Sequence, residues 1–266
     1  MKPFKHKNSL LYKITGHRLK KPSYLLGTMH AICADDFVLH EKVLSALKKC
    51  SVYYMEVDLG SIQEMQFMNQ QTTQISDISD GLSDSEKEEL AHILQNKFDL
   101  SIEEAQQQGP LTLINRLAMD AIDCDEIKVV EMELLKIAHQ SGLSTAGLEN
   151  AQEQLNIAKK VFVGKEILRQ LRSADAYKEL FDKIVDAYHS ENLGELAISI
   201  TDKKFMSKRA YNLLVINRNK RWANAIPSLI ASQSAFFAVG AGHLPGEEGL
   251  LQLLIDKGYN VNPVYK

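Results

Sequence analysis

The sequence predicts an α/β fold in which two related strand–Gly-x-x-His–helix–strand halves form a mixed sheet core, with a large helical insert between them. Three observations predict it. Short apolar runs typical of buried strands lie close to both ends of the chain. Two of these runs end in Gly-x-x-His, at residues 27–30 and 240–243. Between them, residues 61–140 are polar and helical in pattern.

The composition is typical of one globular domain, with 266 residues of which 45% are hydrophobic and 24% charged. The 31 Lys and Arg against 34 Asp and Glu give a net charge of −3, which argues against nucleic acid as a partner. No apolar run of about 18 residues occurs, so no membrane span is expected. The basic N-terminal stretch up to Lys21 is expected to be a solvated arm. A peptide or small-molecule substrate remains as the partner, and the oligomeric state is open.

The predicted organisation is a single domain over residues 1–266. It consists of an N-terminal half motif at 22–60, the helical insert at 61–140, a middle strand with helices at 143–232, and a C-terminal half motif at 234–266.

In the N-terminal half motif, two segments have the pattern of strands. Ser23–Gly27 is a short apolar run closed by a turn, and Ser51–Val57 is β-branched and aromatic. Between them, Phe37–Cys50 carries apolar residues at helical spacing. This order predicts a βαβ-like unit whose parallel sheet is covered by helices.

In the insert, Ser85–Glu88 and Ser101–Glu104 fit the capping box that begins a helix. Gly109-Pro110 ends one helix and begins the next, and Glu126–Gln140 has one apolar helical face. The insert shows no chemical motif, and its position between the halves predicts that it covers or gates a cleft.

The later part of the chain returns to the first pattern. Leu143–Leu148 is a brief strand candidate, and Ser234–Gly240 is an apolar run that ends in glycine. Gly246–Lys257 has the spacing of a helix. Tyr259–Val264 is predicted to be an edge strand, because its proline cannot donate a hydrogen bond to a neighbour.

The three cysteines, Cys33, Cys50 and Cys124, are odd in number and far apart in the sequence. This pattern predicts reduced thiols and argues against a disulfide. The expected compartment is therefore the cytoplasm, or a secreted or periplasmic location if a leader has been removed. Cys33 could act as a thiolate nucleophile, but an inert buried thiol is the favoured interpretation.

The two Gly-x-x-His motifs are the strongest chemical signal. Glycine suits a tight exit from a strand, and the histidine then projects beyond the carboxyl edge of the sheet, where open α/β sheets bind ligands. His30 and His243 could each be a metal ligand or a general base. Glu56 and Glu149 follow strand candidates and could complete such a site. A strand-end salt bridge for Glu56 and a helix-capping role for Glu149 remain alternatives.

Arg218 and Asn219 lie in a helix beside an apolar stripe, where an arginine must find an anion or water. The alternative is an ordinary charged helix face, as the neighbours Lys220 and Arg221 suggest. The motifs HExxH, GxSxG, GxGxxG, the Walker loop and the EF-hand are all missing from the sequence, which argues against a nucleotide cofactor.

Motif-bearing segments lie at both ends and in the middle of the chain: Leu10–Ile14, Lys21–His30, Gly147–Glu149 with Glu153-Gln154, Arg218-Asn219 with Trp222, Phe237–Leu251 and Gly258–Val261. In residues and in order they resemble the TraB/PrgY/GumN family, which includes the TIKI proteases. The resemblance extends over about residues 10–264, and the two Gly-x-x-His motifs give it its specificity.

The resemblance implies two related α/β halves that enclose a cleft, with the two Gly-x-x-His loops facing each other. It also implies a metal-dependent hydrolase, because TIKI members are divalent-metal proteases. The cofactor implied is Mn²⁺ or Co²⁺, with Zn²⁺ as a further candidate. The site residues carried over by position are His30, Glu56, Glu149, Arg218, Asn219 and His243.

The resulting hypothesis is a metal-dependent hydrolase, in the first place a peptidase. His30 and His243 bind one divalent ion together with Glu56 or Glu149, and the other carboxylate acts as general base. Arg218-Asn219 orients the substrate carbonyl or stabilises the oxyanion. Two alternatives stay open: a non-catalytic protein of the same fold that sequesters a peptide or ligand, and an esterase or lactone hydrolase.

Overall fold

The computed structural model describes residues 8–16, 19–70 and 77–265 and has long runs of helices between its strands. The strands are β1 (Leu11–Thr15), β2 (Ser23–Thr28), β3 (Ile32–Cys33), β4 (Val52–Met55), β5 (Ile127–Lys128), β6 (Ser144–Gly147), β7 (Ala235–Gly240) and β8 (Asn260–Pro263). The helices are α1 (Glu41–Leu47), α2 (Ile62–Gln70), α3 (Asp84–Phe98), α4 (Ile102–Gln108), α5 (Pro110–Asp120), α6 (Val130–Gln140), α7 (Ala151–Val161), α8 (Gly164–Arg172), α9 (Tyr177–His189), α10 (Leu193–Ile200), α11 (Lys208–Tyr211), α12 (Asn217–Ile230) and α13 (Leu250–Asp256).

A mixed sheet in the order β6-β4-β7-β2-β1-β8 forms the core. Strands β6, β4, β7 and β2 are parallel, whereas β1 is antiparallel to both β2 and β8. Every residue of β2, β4 and β7 is buried, as expected for parallel strands covered on both faces. The predicted α/β class is therefore confirmed. The two Gly-x-x-His strands, β2 and β7, are direct neighbours although they are far apart in the sequence.

The N-terminal segment differs from its prediction. Strand β1 is inserted between β2 and β8, and Leu11, Tyr12 and Ile14 are buried there. The expectation of a solvated arm is therefore wrong for this part, because an apolar run between lysines pairs on both of its edges. Residues 1–7 and 17–18 of the predicted arm lie outside the described residues. Strand β8 lies at the edge of the sheet, as its proline predicts.

Local capping signals account for several helix boundaries. The capping box at Ser101–Glu104 is confirmed at the start of α4, and Pro110 is the first residue of α5. The box predicted at Ser85–Glu88 is wrong by two residues: Ser83 caps α3, and the side chain of Glu86 binds the backbone of Ser83 in return.

Helix α13 begins only at Leu250, later than predicted. Gly246 has φ +96°, a left-handed conformation that interrupts the helical pattern before it.

Apolar side chains gather in a cluster around the sheet and in another among α3, α4, α5 and α8. The helical insert thus has a core of its own, to which α8 from the middle segment contributes. None of the helices in residues 8–16, 19–70 and 77–265 is long and apolar enough to cross a membrane.

Cys33 and Cys124 form a disulfide, with their Cα atoms 5.9 Å apart. The prediction of reduced thiols is therefore wrong for this pair, and Cys33 is not available as a nucleophile. The partners are 91 residues apart in sequence, and the antiparallel pairing of β3 with β5 brings them together. Because the argument for a reducing compartment assumed reduced cysteines, the disulfide removes it. Cys50 is free, and burial raises the pKa of its thiol to about 12.

Candidate functional site

Four neighbouring parallel strands position the residues of the candidate site at one edge of the sheet. His30 follows β2, His243 follows β7, Glu56 follows β4 and Glu149 follows β6. Since all four strands run in the same direction, their carboxyl ends meet at the edge where open α/β sheets bind ligands. Thr28 of β2 is paired with Gly240 of β7, so the two Gly-x-x-His loops leave the sheet side by side.

The two imidazoles meet at one carboxylate oxygen. Nε2 of His30 lies 3.8 Å from Oε1 of Glu56, and Nε2 of His243 lies 3.7 Å from the same oxygen. That oxygen accepts a hydrogen bond of 2.8 Å from the backbone N–H of Gly240. A Cβ atom at Gly240 would lie 3.1 Å from His30 Nε2, so the glycine keeps the space between these groups open.

Arg218 is the buried cation of the site. Its Nε and Nη2 donate to Glu149 Oε1 at 2.9 and 2.6 Å, and Nη2 also binds Glu56 Oε2. Nη1 donates to the backbone oxygen of Leu214 at 3.0 Å and to His243 Nε2 at 3.2 Å. A guanidinium has five N–H groups, and these contacts engage all of them. The alternative of an ordinary charged helix face is thus wrong for Arg218, which is 7% exposed.

A π-helical turn at Asn212–Ile216 runs directly into α12 and precedes Arg218. Such turns recur at functional sites. The guanidinium of Arg218 also lies 4.5 Å above the ring of Trp222, whose ring centroid is 4.6 Å from that of His243. Helix α12 therefore closes one side of the site with a layer of aromatic and charged groups.

Asn219 orients His243. Its Nδ2 donates to the backbone oxygens of His243 and Glu248 at 3.1 and 2.9 Å, so Oδ1 is the acceptor that faces the imidazole. His243 Nδ1 therefore donates to Asn219 Oδ1, at 2.7 Å, and the lone pair of Nε2 faces the site. The amide of Asn219 is fully used in holding this loop.

Glu131 orients His30 and was missed by the sequence reasoning. Its Oε1 accepts hydrogen bonds from His30 Nδ1 at 2.8 Å and from the hydroxyl of Thr28 at 2.6 Å. The residue is 4% exposed and lies in the first turn of α6, inside the insert. One signal could have found it: a carboxylate on the same helical stripe as Leu134, Leu135 and Ala138, all of which are buried.

The two histidines have opposite electrostatic surroundings. Burial, helped by the charge of Arg218 and opposed by Glu56, lowers the pKa of His243 to about 3. At His30 the surrounding protein atoms favour the neutral form, but the charge and hydrogen bond of Glu131, with a contribution from Glu56, outweigh this and raise its pKa to about 9. Burial alone would raise the pKa of Glu56, yet Arg218 and the two imidazoles hold it well below its usual range.

Comparisons with known proteins identify the family of the chain. The profile of the TraB/PrgY/gumN family matches residues 10–263. The chain belongs to this family. A protein described as "Metalloprotease TIKI homolog" from Amphimedon queenslandica is 23% identical over 211 residues, which cover 68% of this chain and 41% of that protein. The chain thus spans less than half the length of that relative. No solved structure gives a significant match.

The side chains at the site of this TraB/PrgY/gumN member include atom types that bind divalent ions. Imidazole nitrogen and carboxylate oxygen are ordinary metal ligands, and an Nδ1 held by a polar partner is typical of metal-bound histidine. Within the described parts of the chain, however, no three His, Cys, Asp or Glu side chains form a group that could hold a metal ion as they stand. Arg218 Nη1 donates to the very nitrogen of His243 that a metal would use.

Glu149 fits a metal less well than Glu56. Its Oε1 is bound by Arg218, and its Oε2 accepts a hydrogen bond of 2.8 Å from Arg221 Nη2. Both oxygens are therefore directed at arginines. Helix α7 behind it is capped by Asn150 and Glu153, so Glu149 does not serve as the helix cap.

A cavity of about 510 Å³ opens beside these groups. His30, Glu56 and Arg218 form one part of its wall. The rest of the wall comes from α2 and α5 of the insert and from α7, Phe162 and Leu214; the residues are Phe67, Met68, Leu111, Thr112, Asn115, Ala151, Gln154, Leu155, Ile157, Ala158, Phe162 and Leu214. The insert therefore helps to cover the cleft.

Proposed function

We propose that the chain is a divalent-metal-dependent hydrolase that cleaves peptide bonds at the carboxyl edge of the sheet. One observation carries the proposal: Nε2 of His30 and Nε2 of His243 both lie within 3.8 Å of Glu56 Oε1. Each imidazole is fixed through its Nδ1, by Glu131 and Asn219 respectively. Membership of the TraB/PrgY/gumN family and the similarity to a TIKI homologue support the hydrolase class.

In this proposal His30 Nε2 and His243 Nε2 hold the ion, with Glu56 Oε1 beside them. A bound divalent ion lowers the pKa of a water molecule toward neutrality and polarises a carbonyl group. Glu56 Oε1 faces the same space, where its negative charge would complete the ligand set begun by the two imidazoles. Glu56 Oε2 stays bound to Arg218, which keeps the carboxylate charged.

In this proposal Glu149 has a supporting role, and Arg218 contacts the substrate directly. Glu149 anchors the guanidinium groups of Arg218 and Arg221 and is neither ligand nor base. An ion on His243 Nε2 would take the place of the hydrogen bond from Arg218 Nη1. That N–H would then be available to a substrate carbonyl oxygen, whose developing negative charge it would stabilise. Asn219 keeps the His243 loop in place through this change.

The test uses chelator-treated protein and a mixture of peptides and esters, analysed by mass spectrometry. We expect cleavage of peptides that appears with Mn²⁺ or Co²⁺ and disappears with chelator, and that is lost in Glu56→Gln. Binding of peptides without any cleavage would contradict the hydrolase proposal and favour a sequestering protein. Cleavage confined to esters would contradict the assignment to peptide bonds.

A further inference from the structure

The cavity beside the site has a largely apolar lining. We propose that it binds an aromatic or long aliphatic side chain of the substrate, next to the peptide bond that is cleaved. This inference rests on the proposed function, since it concerns the specificity of the same site. Its volume of about 510 Å³ lies within the usual range of ligand pockets, about 300–1,000 Å³.

The cavity and the site are continuous. His30, Glu56 and Arg218 belong to its wall, so a carbonyl group placed against them has its neighbouring groups inside the cavity. A side chain next to the reacting bond is therefore within reach of the cavity, where the lining can favour some substrates over others.

The wall favours apolar groups. Apart from the three site residues, no lining side chain among the described residues carries a charge, and most are aliphatic or aromatic. A charged substrate group in this space would lose water without gaining a partner, because Glu56 and Arg218 already neutralise each other. An apolar group instead gains by burial.

The helical insert sets the width of the cavity. Helix α2 contributes Phe67 and Met68, and its Glu64 accepts a hydrogen bond of 2.7 Å from the backbone N–H of Ala151, the first residue of α7. Helix α7 contributes the opposite wall, including Ala158. Met68 is 38% exposed at the rim, and methionine adapts its shape to different apolar partners.

Two variants and one control test the cavity. Ala158→Phe fills it from α7, and Met68→Asp places a charge at its exposed rim, where folding is little affected. Lys159→Phe is the matched control, because Lys159 is exposed on the same helix. Thermal unfolding checks that each variant folds.

Binding decides this proposal independently of cleavage. In NMR titrations of the metal-free chain with ¹³C-methyl methionine, we expect N-acetyl-phenylalanine amide to shift the Met68 methyl signal and N-acetyl-aspartic acid amide to leave it unchanged. Ala158→Phe should abolish the shift and Lys159→Phe should retain it. No shift in wild type, or an equal shift with both probes, would overturn the proposal.

Cleavage then tests the link to the active site. With Mn²⁺-loaded protein and peptides that differ at one position, we expect kcat/KM to favour Phe or Leu over Asp by about tenfold or more. Met68→Asp should reduce this preference, whereas Lys159→Phe should leave kcat/KM for every peptide unchanged. Equal loss for all peptides would overturn the subsite. Probe binding without cleavage of any peptide would remove the hydrolase proposal alone.

Discussion

His30 and His243 end the same Gly-x-x-His motif on neighbouring strands, yet their surroundings are opposite. The side chain of His243 is 7% exposed, lies against Trp222 and has its pKa lowered to about 3. The side chain of His30 is 62% exposed, lines the cavity and has its pKa raised to about 9. Elements outside the motif cause the difference: α12 packs on one histidine, and α6 supplies a carboxylate to the other.

The difference shows how one short motif can serve two parts of a site. His243 is built into the core of the protein, so its position is fixed by Asn219 and by packing. His30 is reachable from solvent, and its position is fixed by Glu131 and by the loop itself. A single motif therefore predicts the residue type and its location, whereas its burial is decided by distant segments.

The largest effect is expected when either histidine is removed. His30→Ala and His243→Ala should each lower metal-dependent cleavage by about 10²–10⁴-fold or more. Both variants should also be destabilised by about 1–3 kcal/mol, because His243→Ala leaves Asn219 and His30→Ala leaves the buried carboxylate of Glu131 without a hydrogen-bond partner. Kinetic assays and urea denaturation measure both. Wild-type turnover in either variant would refute the paired-histidine site.

Substitution of Arg218 tests how much the buried ion pairs around His243 contribute to the stability of the protein. Arg218→Met removes the buried cation shared by Glu56 and Glu149, leaves Glu149 with Arg221 alone, and should destabilise the protein by about 3–5 kcal/mol. The control is Arg221→Met: its side chain is 45% exposed, so the loss should be about 1 kcal/mol or less. Equal losses in the two variants, measured by urea denaturation, would contradict a buried ion-pair network centred on Arg218.

The disulfide concerns only the His30 side of the comparison. Cys33 follows His30 by three residues and Cys124 precedes Glu131 by seven, so the bond ties the segments that carry these two partners. Combined Cys33→Ser and Cys124→Ser should cost about 2–4 kcal/mol. In the Cys50→Ala variant, which keeps the disulfide, reductant should lower the thermal unfolding temperature to that of the double variant. An unchanged unfolding temperature would contradict a disulfide in the folded protein.

Glu131 gives the smallest of these effects and the most specific one. Glu131→Gln keeps the shape but weakens the hold on His30, and should lower Mn²⁺ affinity by about 10–100-fold. Glu133→Gln, on the same helix but paired with Lys136 at the surface, should leave the affinity unchanged. Calorimetry on both variants measures it. The positioning role would be disproved by equal affinities of the two variants.

The sequence predicts the parallel core well because its signals are local. Apolar runs that end in glycine identify β2 and β7, and a β-branched run identifies β4. Strand β1 is missed because lysines flank and interrupt its short apolar run, and its burial comes from two partners that are distant in sequence. The shift of the α3 cap to Ser83 shows that two serines separated by one residue are alternatives for the same capping role.

The sequence predicts most residues of the candidate site, but it does not predict which of them form hydrogen bonds or ion pairs with each other. His30, Glu56, Glu149, Arg218, Asn219 and His243 come together at one sheet edge. Their spacing in the chain carries no information that Glu149 faces two arginines or that Asn219 faces Nδ1 of His243. The role of Glu131 and the disulfide were not predicted for the same reason, because each depends on a contact between segments about 90–100 residues apart.

The most direct measurement is a calorimetric titration of chelator-treated protein with Mn²⁺, comparing wild type, His30→Ala and His243→Ala. The account predicts one ion per chain in wild type and no binding in either variant, although one histidine is exposed and the other is buried. Binding that persists in His30→Ala or in His243→Ala, or a folded wild-type chain that binds no ion, would contradict a metal site shared by the two Gly-x-x-His loops.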